Sequence, residues 1–304
     1  MSKRKSGLNV HGILLLDKRL GVSSNQALQE VRRLLNANKA GHTGSLDPLA
    51  TGLLPLCFGE ATKVSTLMLD HNKRYQVTVK LGVMTDTGDA EGQIIAEMPI
   101  PVLSEQILHD CMQHFLGDIE QVPPMYSALK HQGKKLYELA REGKTVDRPA
   151  RRIHIFSLKL LTFTADQLML DVACSKGTYI RSLAEDMGHY LGSCGTVTAL
   201  RRIESGPFSI QQAITLPELQ EMGSAQVIDK LLPIDLPLAD IPMVNLSPEQ
   251  SICIKQGQQI SYAAPKLGSV RIYCQNAFLG LGELLINGKL APKKIFNLDN
   301  HILG

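Results

Sequence analysis

The chain has 304 residues, of which 44% are apolar and 20% are charged, a balance that is typical of folded proteins and excludes wholesale disorder. Its net charge is +3, and its six cysteines form no Cys-x-x-Cys pair, so neither a zinc knuckle nor a disulfide framework is indicated. No apolar run approaches the ~20 residues that cross a bilayer, and we expect a soluble, cytoplasmic protein without a membrane segment.

The first third of the chain predicts a strand, a helix, a loop and a second strand. Residues 12–17 form an apolar run typical of a buried strand, and Ser24 is expected to cap the helix that follows. Residues 41–59 contain four glycines and two prolines, which predicts a shaped loop with a short apolar segment inside it. Residues 74–83 alternate strictly and predict a half-buried strand with Tyr75 at the mouth of its inner face.

The middle of the chain predicts a helix, a strand and another helix. The first helix starts at Ser104 and stops at Gly117, and four of its side chains are expected to face the core, namely Ile107, Leu108, Cys111 and Phe115. Residues 168–174 alternate as a strand, after which the apolar spacing becomes helical. Tyr179 and Arg181 fall in the first turn of that helix, where unpaired backbone N–H groups favour anions.

The last part of the chain predicts a linker and a small β module. Prolines at 233, 237, 242 and 248 punctuate the linker. Short β-like pieces at 269–274 and 277–286, separated by Gly and Asn, favour a small barrel-like unit. We therefore expect two domains, 1–240 and 245–304.

The positive charge is concentrated in three stretches of the sequence. Residues 1–63 carry nine Lys/Arg against four acids, residues 130–159 carry nine against three, and residues 245–304 carry six against three. Basic patches on a nearly neutral protein favour a polyanionic partner, because each phosphate contact needs a cation. Charge alone does not distinguish a surface that binds such a partner from an ordinary solvated surface.

The loop around Asp47 is the segment most suggestive of chemistry. The signatures of phosphate loops, dinucleotide sites, zinc proteases and serine hydrolases are absent from the sequence. Asp47 precedes Pro48, which holds residue 47 extended, so a carboxylate projects from a rigid, glycine-flanked loop. An Asp-Pro pair is also common in simple turns, and the spacing alone leaves both interpretations open.

A family resemblance rests on that loop. The segment GHTGSLDPLATG (41–52) resembles the signature loop of the TruB family of pseudouridine synthases, which modify the T-loop of transfer RNA. Four further blocks agree in order: KRYQVTVKLGVMTDTGDAEG, PPMYSALKHQGKKLYELAREG, CSKGTYIRSLAEDMG and TALRRIESGPF. The resemblance implies an α+β pseudouridine synthase fold on a largely antiparallel sheet, followed by a PUA-like module. It also implies isomerisation of uridine 55 in the T-loop of tRNA, with no cofactor and no metal.

The same resemblance implies roles for five residues of the active site. Asp47 would be the nucleophile, attacking either the ribose anomeric carbon or the pyrimidine ring, between which the sequence does not choose. Tyr75 would stack on the base and act in proton transfer, and Arg181 would pair with Asp47 and keep it ionised. Tyr179 and Leu200 would line the same pocket and contact the substrate.

The remaining implied roles concern the RNA. His42 would fill the stack that the flipped target nucleotide leaves, and Lys18 of the family's first motif is expected on the substrate side. The family usually has Lys-Pro before the glycine of this motif, whereas this chain has Lys18, Arg19 and Leu20 before Gly21. A cationic insertion at about 123–152 would close over the RNA arm and meet its phosphates through Lys130, Lys134, Lys135, Arg148, Arg151 and Arg152. The terminal module would contact the acceptor end of tRNA, and no obligate protein partner is implied.

Two alternatives from other functional classes remain. A non-catalytic RNA-binding protein would keep the scaffold and the basic stretches, and loss of the hydrogen at carbon 5 of uridine distinguishes it from the enzyme. An enzyme that acts on free nucleotides would leave the insertion and the terminal module without a role, and the sequence lacks its phosphate-loop glycines.

Overall fold

The computed structural model describes residues 7–263 and 266–298 and contains nineteen strands within them. They are β1 (Gly12–Lys18), β2 (Ala40–His42), β3 (Ala50–Phe58), β4 (Lys73–Leu81), β5 (Val83–Thr85), β6 (Ile94–Glu97), β7 (Gly117–Gln121), β8 (Lys130–His131), β9 (Lys134–Lys135), β10 (Arg151–Phe163), β11 (Gln167–Cys174), β12 (Gly195–Ser205), β13 (Phe208–Ser209), β14 (Ile214–Thr215), β15 (Met243–Leu246), β16 (Ile260–Ser261), β17 (Gly268–Cys274), β18 (Ala277–Leu284) and β19 (Lys289–Ile295).

Eight α-helices lie in the same described part of the chain. They are α1 (Ser24–Leu34), α2 (Ser65–Leu69), α3 (Glu105–His114), α4 (Leu136–Arg141), α5 (Ile180–Tyr190), α6 (Leu216–Glu221), α7 (Ser224–Ile228) and α8 (Pro248–Lys255). Among these helices, none in the described ranges is long and apolar enough to cross a membrane.

A ten-stranded sheet forms the centre of the molecule. Its main strand order is β14-β1-β3-β12-β4-β11-β10-β7, with β2 paired to β3 and β13 paired to β12. The pairings β1–β14 and β3–β12 are parallel and the others in this sheet are antiparallel. The prediction of an α+β fold on a largely antiparallel sheet is confirmed.

The C-terminal part of the chain builds a separate five-stranded sheet in the order β15-β17-β18-β19-β16. Helix α8 packs beside this sheet and begins at Pro248, a residue that the sequence assigned to a linker. Proline is well suited to the first turn of a helix, because its missing N–H would have no partner there. The outer ends of the two predicted domains, residues 1–6 and 299–304, lie outside the described residues.

Two groups of buried side chains lie against the large sheet. One joins the apolar faces of α1, α3 and α5 to the inner face of β4, including Leu28, Leu108, Leu183 and Val77. The other joins residues of β1 and β3 to Phe278 and Phe296 of the C-terminal part. The C-terminal sheet is therefore packed against the large sheet through a shared apolar cluster.

The segment after Asp47 is more regular than the sequence predicts. Residues 50–58, predicted as part of a loop, form the central strand β3. Pro55 is tolerated because β12 pairs with residues 50–52 and β2 with residues 56–58, so it lies between the two pairings on that edge. Gly52 has φ +98°, and a Cβ there would lie 2.3 Å from the Arg202 carbonyl oxygen, so only glycine allows the two strands this approach.

Two smaller predictions about helices are wrong. The cap of α1 is Ser23, whose side chain accepts from the backbone N–H of Gln26, whereas Ser24 is the first helical residue. Helix α3 buries Leu108, Cys111 and Met112, but Ile107 is 43% exposed because it lies one position off the face that meets the sheet.

Candidate active site

Five of the sequence-predicted site residues line one cleft of about 350 Å³, a volume in the range of small-molecule sites. Asp47 comes from the loop between β2 and β3, Tyr75 from β4, and Leu200 from β12. Tyr179 and Arg181 come from the start of α5. The cleft therefore collects side chains that are far apart in the sequence.

The centre of the cleft is an ion pair between Asp47 and Arg181. A guanidinium nitrogen of Arg181 (Nη2) lies 3.0 Å from Oδ2 of Asp47. The Arg181 side chain is 7% exposed, whereas that of Asp47 is 44% exposed. The carboxylate is thus open to a ligand in the cleft while its partner is fixed in the wall.

Arg181 is held by two backbone carbonyls from different loops. Its Nη1 donates to the Thr87 carbonyl and its Nη2 to the Tyr126 carbonyl, both at 2.7 Å. A second carboxylate, that of Asp89, lies 3.7 Å from Nη1. Gly88 has φ +73°, and a Cβ there would lie 2.4 Å from a Glu185 carboxylate oxygen, so glycine lets this loop lie directly on α5.

Opposing effects act on the Asp47 carboxyl. Removal of water by the cleft walls raises its pKa above the ordinary value, and the nearby charge of Asp89 raises it further. The positive charges of Arg181 and Lys18 oppose this rise. Arg181 is therefore the group that most favours the ionised form of Asp47.

The Asp47 loop is fastened to the scaffold on both sides of the aspartate. Arg202, a fully buried residue of β12, donates from Nη2 to the Gly44 carbonyl at 3.1 Å and from Nε to the Leu53 carbonyl at 2.7 Å. The Ser24 hydroxyl is hydrogen-bonded to the backbone of residue 46. The Asp47 carbonyl accepts from the Ala50 amide at 3.0 Å. The carboxylate is thus presented by a rigid loop.

Lys18 contacts the backbone of this loop and does not line the cleft. The residue is 1% exposed, and its Nζ donates to the Val22 carbonyl at 2.7 Å and to the Pro48 carbonyl at 3.5 Å. Burial lowers the pKa of Lys18 to about 8, against the raising effect of Asp47. Lys18 thus binds the backbone of its own turn and of the Asp47 loop and lines neither cavity, and its expected place on the substrate side stays a prediction.

The two tyrosines of the cleft differ in their surroundings. Tyr75 is 9% exposed and pairs with Arg202 across the β4–β12 register. Burial raises its pKa, and Arg202 opposes this rise. Tyr179 precedes α5, and its backbone N–H and carbonyl both bind the Gln121 side-chain amide, at 2.8 and 3.0 Å. Burial raises the pKa of Tyr179 as well, with a smaller lowering effect from Ser127.

His42 lies in a second cavity, of about 550 Å³, which meets the first at Asp47 and Arg181. Its walls include Lys135, Tyr137 and Arg141 of the insertion segment (residues 123–152). Burial and the charge of Arg202 lower the pKa of His42, so its ring is neutral at pH 7. The second cavity therefore lies between the Asp47 loop and the insertion segment.

The six side chains of the insertion segment that are predicted to contact phosphates differ in their exposure and in their hydrogen-bond partners. Lys134 pairs with Glu142 at 3.2 Å, and Lys135 donates to the Tyr137 hydroxyl at 3.1 Å. Arg148 is half-buried and donates to the Pro123 carbonyl at 3.2 Å, so part of its guanidinium is committed to the base of the segment. Of the six predicted contacts, the exposed ones are Lys130, Lys134, Arg151 and Arg152.

Three residues of the site were missed by sequence reasoning. Asp89 faces Arg181, Arg202 fixes Gly44, and Ser24 fixes the residue before Asp47. Asp89 and Arg202 lie inside sequence blocks that carry the family resemblance, but nothing in their local spacing indicates contacts with residues about 90 and 160 positions away. No group of three His, Cys, Asp or Glu side chains that could hold a metal is found among the residues that the structure describes.

Family models match almost the whole chain. The TruB family pseudouridylate synthase N-terminal domain matches residues 32–180, and the tRNA pseudouridylate synthase B C-terminal domain matches residues 181–239. The pseudouridine synthase II TruB C-terminal model matches residues 242–296. These ranges include the cleft and the C-terminal sheet.

Curated relatives and solved structures agree with these models. The tRNA pseudouridine synthase B of Chromohalobacter salexigens is 49% identical over 300 residues, with 98% of each chain covered. The protein of that name from Aromatoleum aromaticum is 50% identical over 286 residues, covering 94% of this chain and 92% of its own.

Among solved structures, a chain of a Cbf5-Nop10-Gar1 complex superposes with a TM-score of 0.71 at 23% identity, covering 98% of this chain and 91% of its own. A chain of an H/ACA RNP bound to a substrate RNA containing 2′-deoxyuridine superposes with a TM-score of 0.70 at 21% identity, covering 98% and 92%. At these identities the likeness shows the fold alone, and that fold is the pseudouridine synthase fold that the sequence predicts. Together with the family models and the near-full-length relatives, it shows that this chain belongs to the TruB family of pseudouridine synthases.

Proposed function

We propose that this protein isomerises uridine 55 in the T-loop of tRNA to pseudouridine, with Asp47 as the nucleophile. The observation that carries the proposal is the ion pair between a half-exposed Asp47 and a buried Arg181 in a cleft of nucleoside size. Family membership supports the reaction, since the relatives at 47–50% identity are named tRNA pseudouridine synthase B.

The reaction is an isomerisation, so substrate and product nucleotide contain the same atoms. The Asp47 carboxylate attacks either the anomeric carbon of the ribose or the pyrimidine ring, and this covalent assistance divides one difficult step into two. The N1–C1′ bond breaks, the base turns, a C5–C1′ bond forms, and the bond to Asp47 breaks again, which returns the free carboxylate. The proton on carbon 5 is then lost and N1 gains one from solvent. No electron is transferred overall, so the isomerisation requires no oxidant or reductant.

The other side chains of the cleft bind and orient the uridine. Tyr75 stacks on the base and, through its hydroxyl, acts in proton transfer during rejoining. Tyr179 and Leu200 contact the nucleotide from the opposite walls. Arg181 keeps Asp47 ionised against the effect of burial.

Access to the cleft requires that the target nucleotide leaves its stack, because the reacting carbon is otherwise covered. His42 lies in the adjoining cavity, where a neutral ring is suited to fill the vacated position. The exposed cations of the insertion segment contact phosphates of the T-arm. We propose that residues up to 240 form the catalytic domain and that residues 245–304 form a PUA-like domain that contacts the acceptor end.

The test is tritium release from a T-arm stem-loop whose uridines are labelled at carbon 5, followed by mapping of pseudouridine in that RNA. We expect stoichiometric release and modification of the single uridine that corresponds to position 55. Mapping in tRNA from cells without the gene, and after the gene is restored, tests the position in full-length tRNA. Tight binding without tritium release would show instead a non-catalytic RNA-binding protein.

A further inference from the structure

We propose that Gln121 is a positioning residue of the reaction, which fixes Tyr179 and the start of α5 in the cleft by binding the backbone of Tyr179 through its side-chain amide. This inference rests on the proposed function, since it assigns a further residue to the same site. Gln121 lines neither cavity, so it acts through Tyr179 and not on the substrate.

The contact between Gln121 and Tyr179 consists of two hydrogen bonds. The side-chain oxygen of Gln121 (Oε1) accepts from the Tyr179 N–H at 2.8 Å, and its Nε2 donates to the Tyr179 carbonyl at 3.0 Å. Gln121 is 3% exposed, so its amide is shielded from water. A buried amide needs a donor and an acceptor opposite its own groups, and here a single residue of the cleft supplies both.

Tyr179 depends on this support because it lies at the start of α5. It is the residue that precedes the helix, with φ −100° and ψ 111°, and its side chain makes no capping hydrogen bond, unlike the Ser, Thr, Asp or Asn usual there. Its carbonyl accepts from the Leu183 N–H at 3.1 Å, but this bond leaves its own N–H without a partner. Gln121 binds the peptide groups on both sides of Tyr179, and it thereby fixes the direction of the tyrosine ring.

The place of Gln121 in the chain connects this contact to the rest of the cleft. Gln121 is the last residue of β7 and comes directly before the insertion segment. Five residues later, the Tyr126 carbonyl accepts from Arg181 at 2.7 Å. Residues 121–126 therefore hold two residues of the cleft that are two positions apart at the start of α5. A change of the backbone angles at Tyr179 moves its ring and disturbs the helix start that carries Arg181.

The experiment compares wild type with Gln121→Met, which removes both hydrogen bonds, and with Gln121→Glu, which is nearly isosteric. Dissociation constants for a T-arm stem-loop and single-turnover rates at saturating RNA are measured between about pH 5.5 and 8.5, below the melting transition of each protein. At the upper end of this range we expect both variants to lose about tenfold or more in rate, as misplaced positioning groups do. The dissociation constants should stay within about threefold of wild type, because the phosphate contacts that dominate affinity are unchanged.

The decisive result is a recovery of Gln121→Glu at low pH. A protonated carboxyl has the donor and the acceptor of the amide, whereas a carboxylate only accepts and turns an oxygen toward the Tyr179 carbonyl. Burial and the charge of Asp47 favour the neutral form of the new side chain, whereas Arg151 and Arg181 favour the ionised form. The rate of Gln121→Glu relative to wild type should therefore rise as the pH falls, and that of Gln121→Met should stay constant.

Ser182→Ala is the matched control. The Ser182 hydroxyl donates to the Val122 carbonyl at 3.3 Å, so it joins the same two segments without contacting Tyr179. Melting temperatures should fall in both Ser182→Ala and Gln121→Met, but only Gln121→Met should lose rate. Equal rate losses would show that a general loosening of the two segments is responsible, and would overturn the positioning role.

Other outcomes also contradict the role of Gln121. Rates of both variants within about twofold of wild type would show that Tyr179 does not need the contact. A loss in Gln121→Glu that is the same at every pH would separate the effect from the hydrogen bonds of the amide. A loss of affinity with an unchanged rate would make Gln121 part of the RNA-binding surface. Failure of wild type to convert the RNA would overturn the proposed function as well, whereas these outcomes with normal wild-type conversion overturn the role of Gln121 alone.

Discussion

The Ser24 hydroxyl makes two hydrogen bonds to the backbone of Leu46, accepting from its N–H at 2.7 Å and donating to its carbonyl at 3.0 Å. Leu46 immediately precedes Asp47, and Ser24 is the first residue of α1. The end of a helix thus fixes the backbone that carries the proposed nucleophile. A small displacement of this backbone moves the carboxylate away from Arg181.

We expect Ser24→Ala to lower the single-turnover rate about tenfold or more while changing tRNA affinity little, since misplacement of a reacting group by about 1 Å has effects of that order. Ser23→Ala is the control. It removes the cap of α1 and lowers stability by about 1 kcal/mol without touching Leu46. Equal rate losses in the two variants would show that Ser24 acts only through the stability of the helix.

Asp47→Asn keeps the shape of the loop but replaces a carboxylate by an amide, which is a far weaker nucleophile. We expect pseudouridine formation to vanish while the dissociation constant for a T-arm stem-loop stays within several-fold of wild type. Single-turnover assays, filter binding and a thermal melt check this. Residual conversion within tenfold of wild type would exclude Asp47 as nucleophile, and a parallel loss of binding would make it a structural residue.

Tyr75→Phe and Tyr75→Leu separate the two roles proposed for the ring and the hydroxyl. If the hydroxyl transfers a proton, as proposed, Phe alone should slow the single-turnover rate about 100-fold or more. A near-normal rate with Phe and a poor one with Leu would leave stacking as the only role. Wild-type rates in both variants would remove Tyr75 from the mechanism.

The insertion segment should contribute affinity that depends on salt. Replacing both Lys134 and Lys135 with Ala should weaken tRNA binding at low salt, and the affinity of the variant should approach that of wild type at high salt. In a plot of the logarithm of the binding constant against the logarithm of the salt concentration, the slope should be smaller by about 0.7 to 0.9 per lost contact. Lys80 and Lys159 are outside both cavities, and their double Ala variant is the charge-matched control. A salt-independent loss would indicate a misfolded segment.

The buried Lys18 should make stability depend on alkaline pH. Its pKa is lowered to about 8 in the folded protein from an ordinary value of 10.5, so between these values the unfolded chain binds more protons. Unfolding free energy should therefore rise between about pH 8 and 10.5 by roughly 1 to 3 kcal/mol relative to Lys18→Met, in which this titration is absent. Urea melts across this range measure it, and identical pH profiles would contradict it.

Much of the site was predictable because several of its residues lie on regular strands and helices. The strict alternation of 74–83 placed Tyr75 on the inner face of β4, and the change to helical spacing after residue 174 placed Arg181 at the start of α5. Strand β3 was not predictable, because Gly52 and Pro55 are ordinary loop residues and are accepted here only through contacts with β12 and β2.

The residues that hold the site in place could not be predicted from the sequence. Whether a serine caps its own helix or binds a distant loop depends on tertiary packing, and Ser23 and Ser24 divide these two tasks. The pairs Arg181–Asp89 and Arg202–Gly44 join residues about 90 and 160 positions apart, for which local periodicity contains no signal.

The separation of the cleft residues along the chain determines when the protein becomes active during synthesis. Asp47 emerges from the ribosome early, but Arg181 and Leu200, which complete the cleft, are made much later. Contacts of such long range form only once all the partners are present. A nascent chain that ends before β12 therefore has the signature loop but lacks part of the cleft, and pseudouridine formation reports only those molecules in which the chain has been made at least through β12.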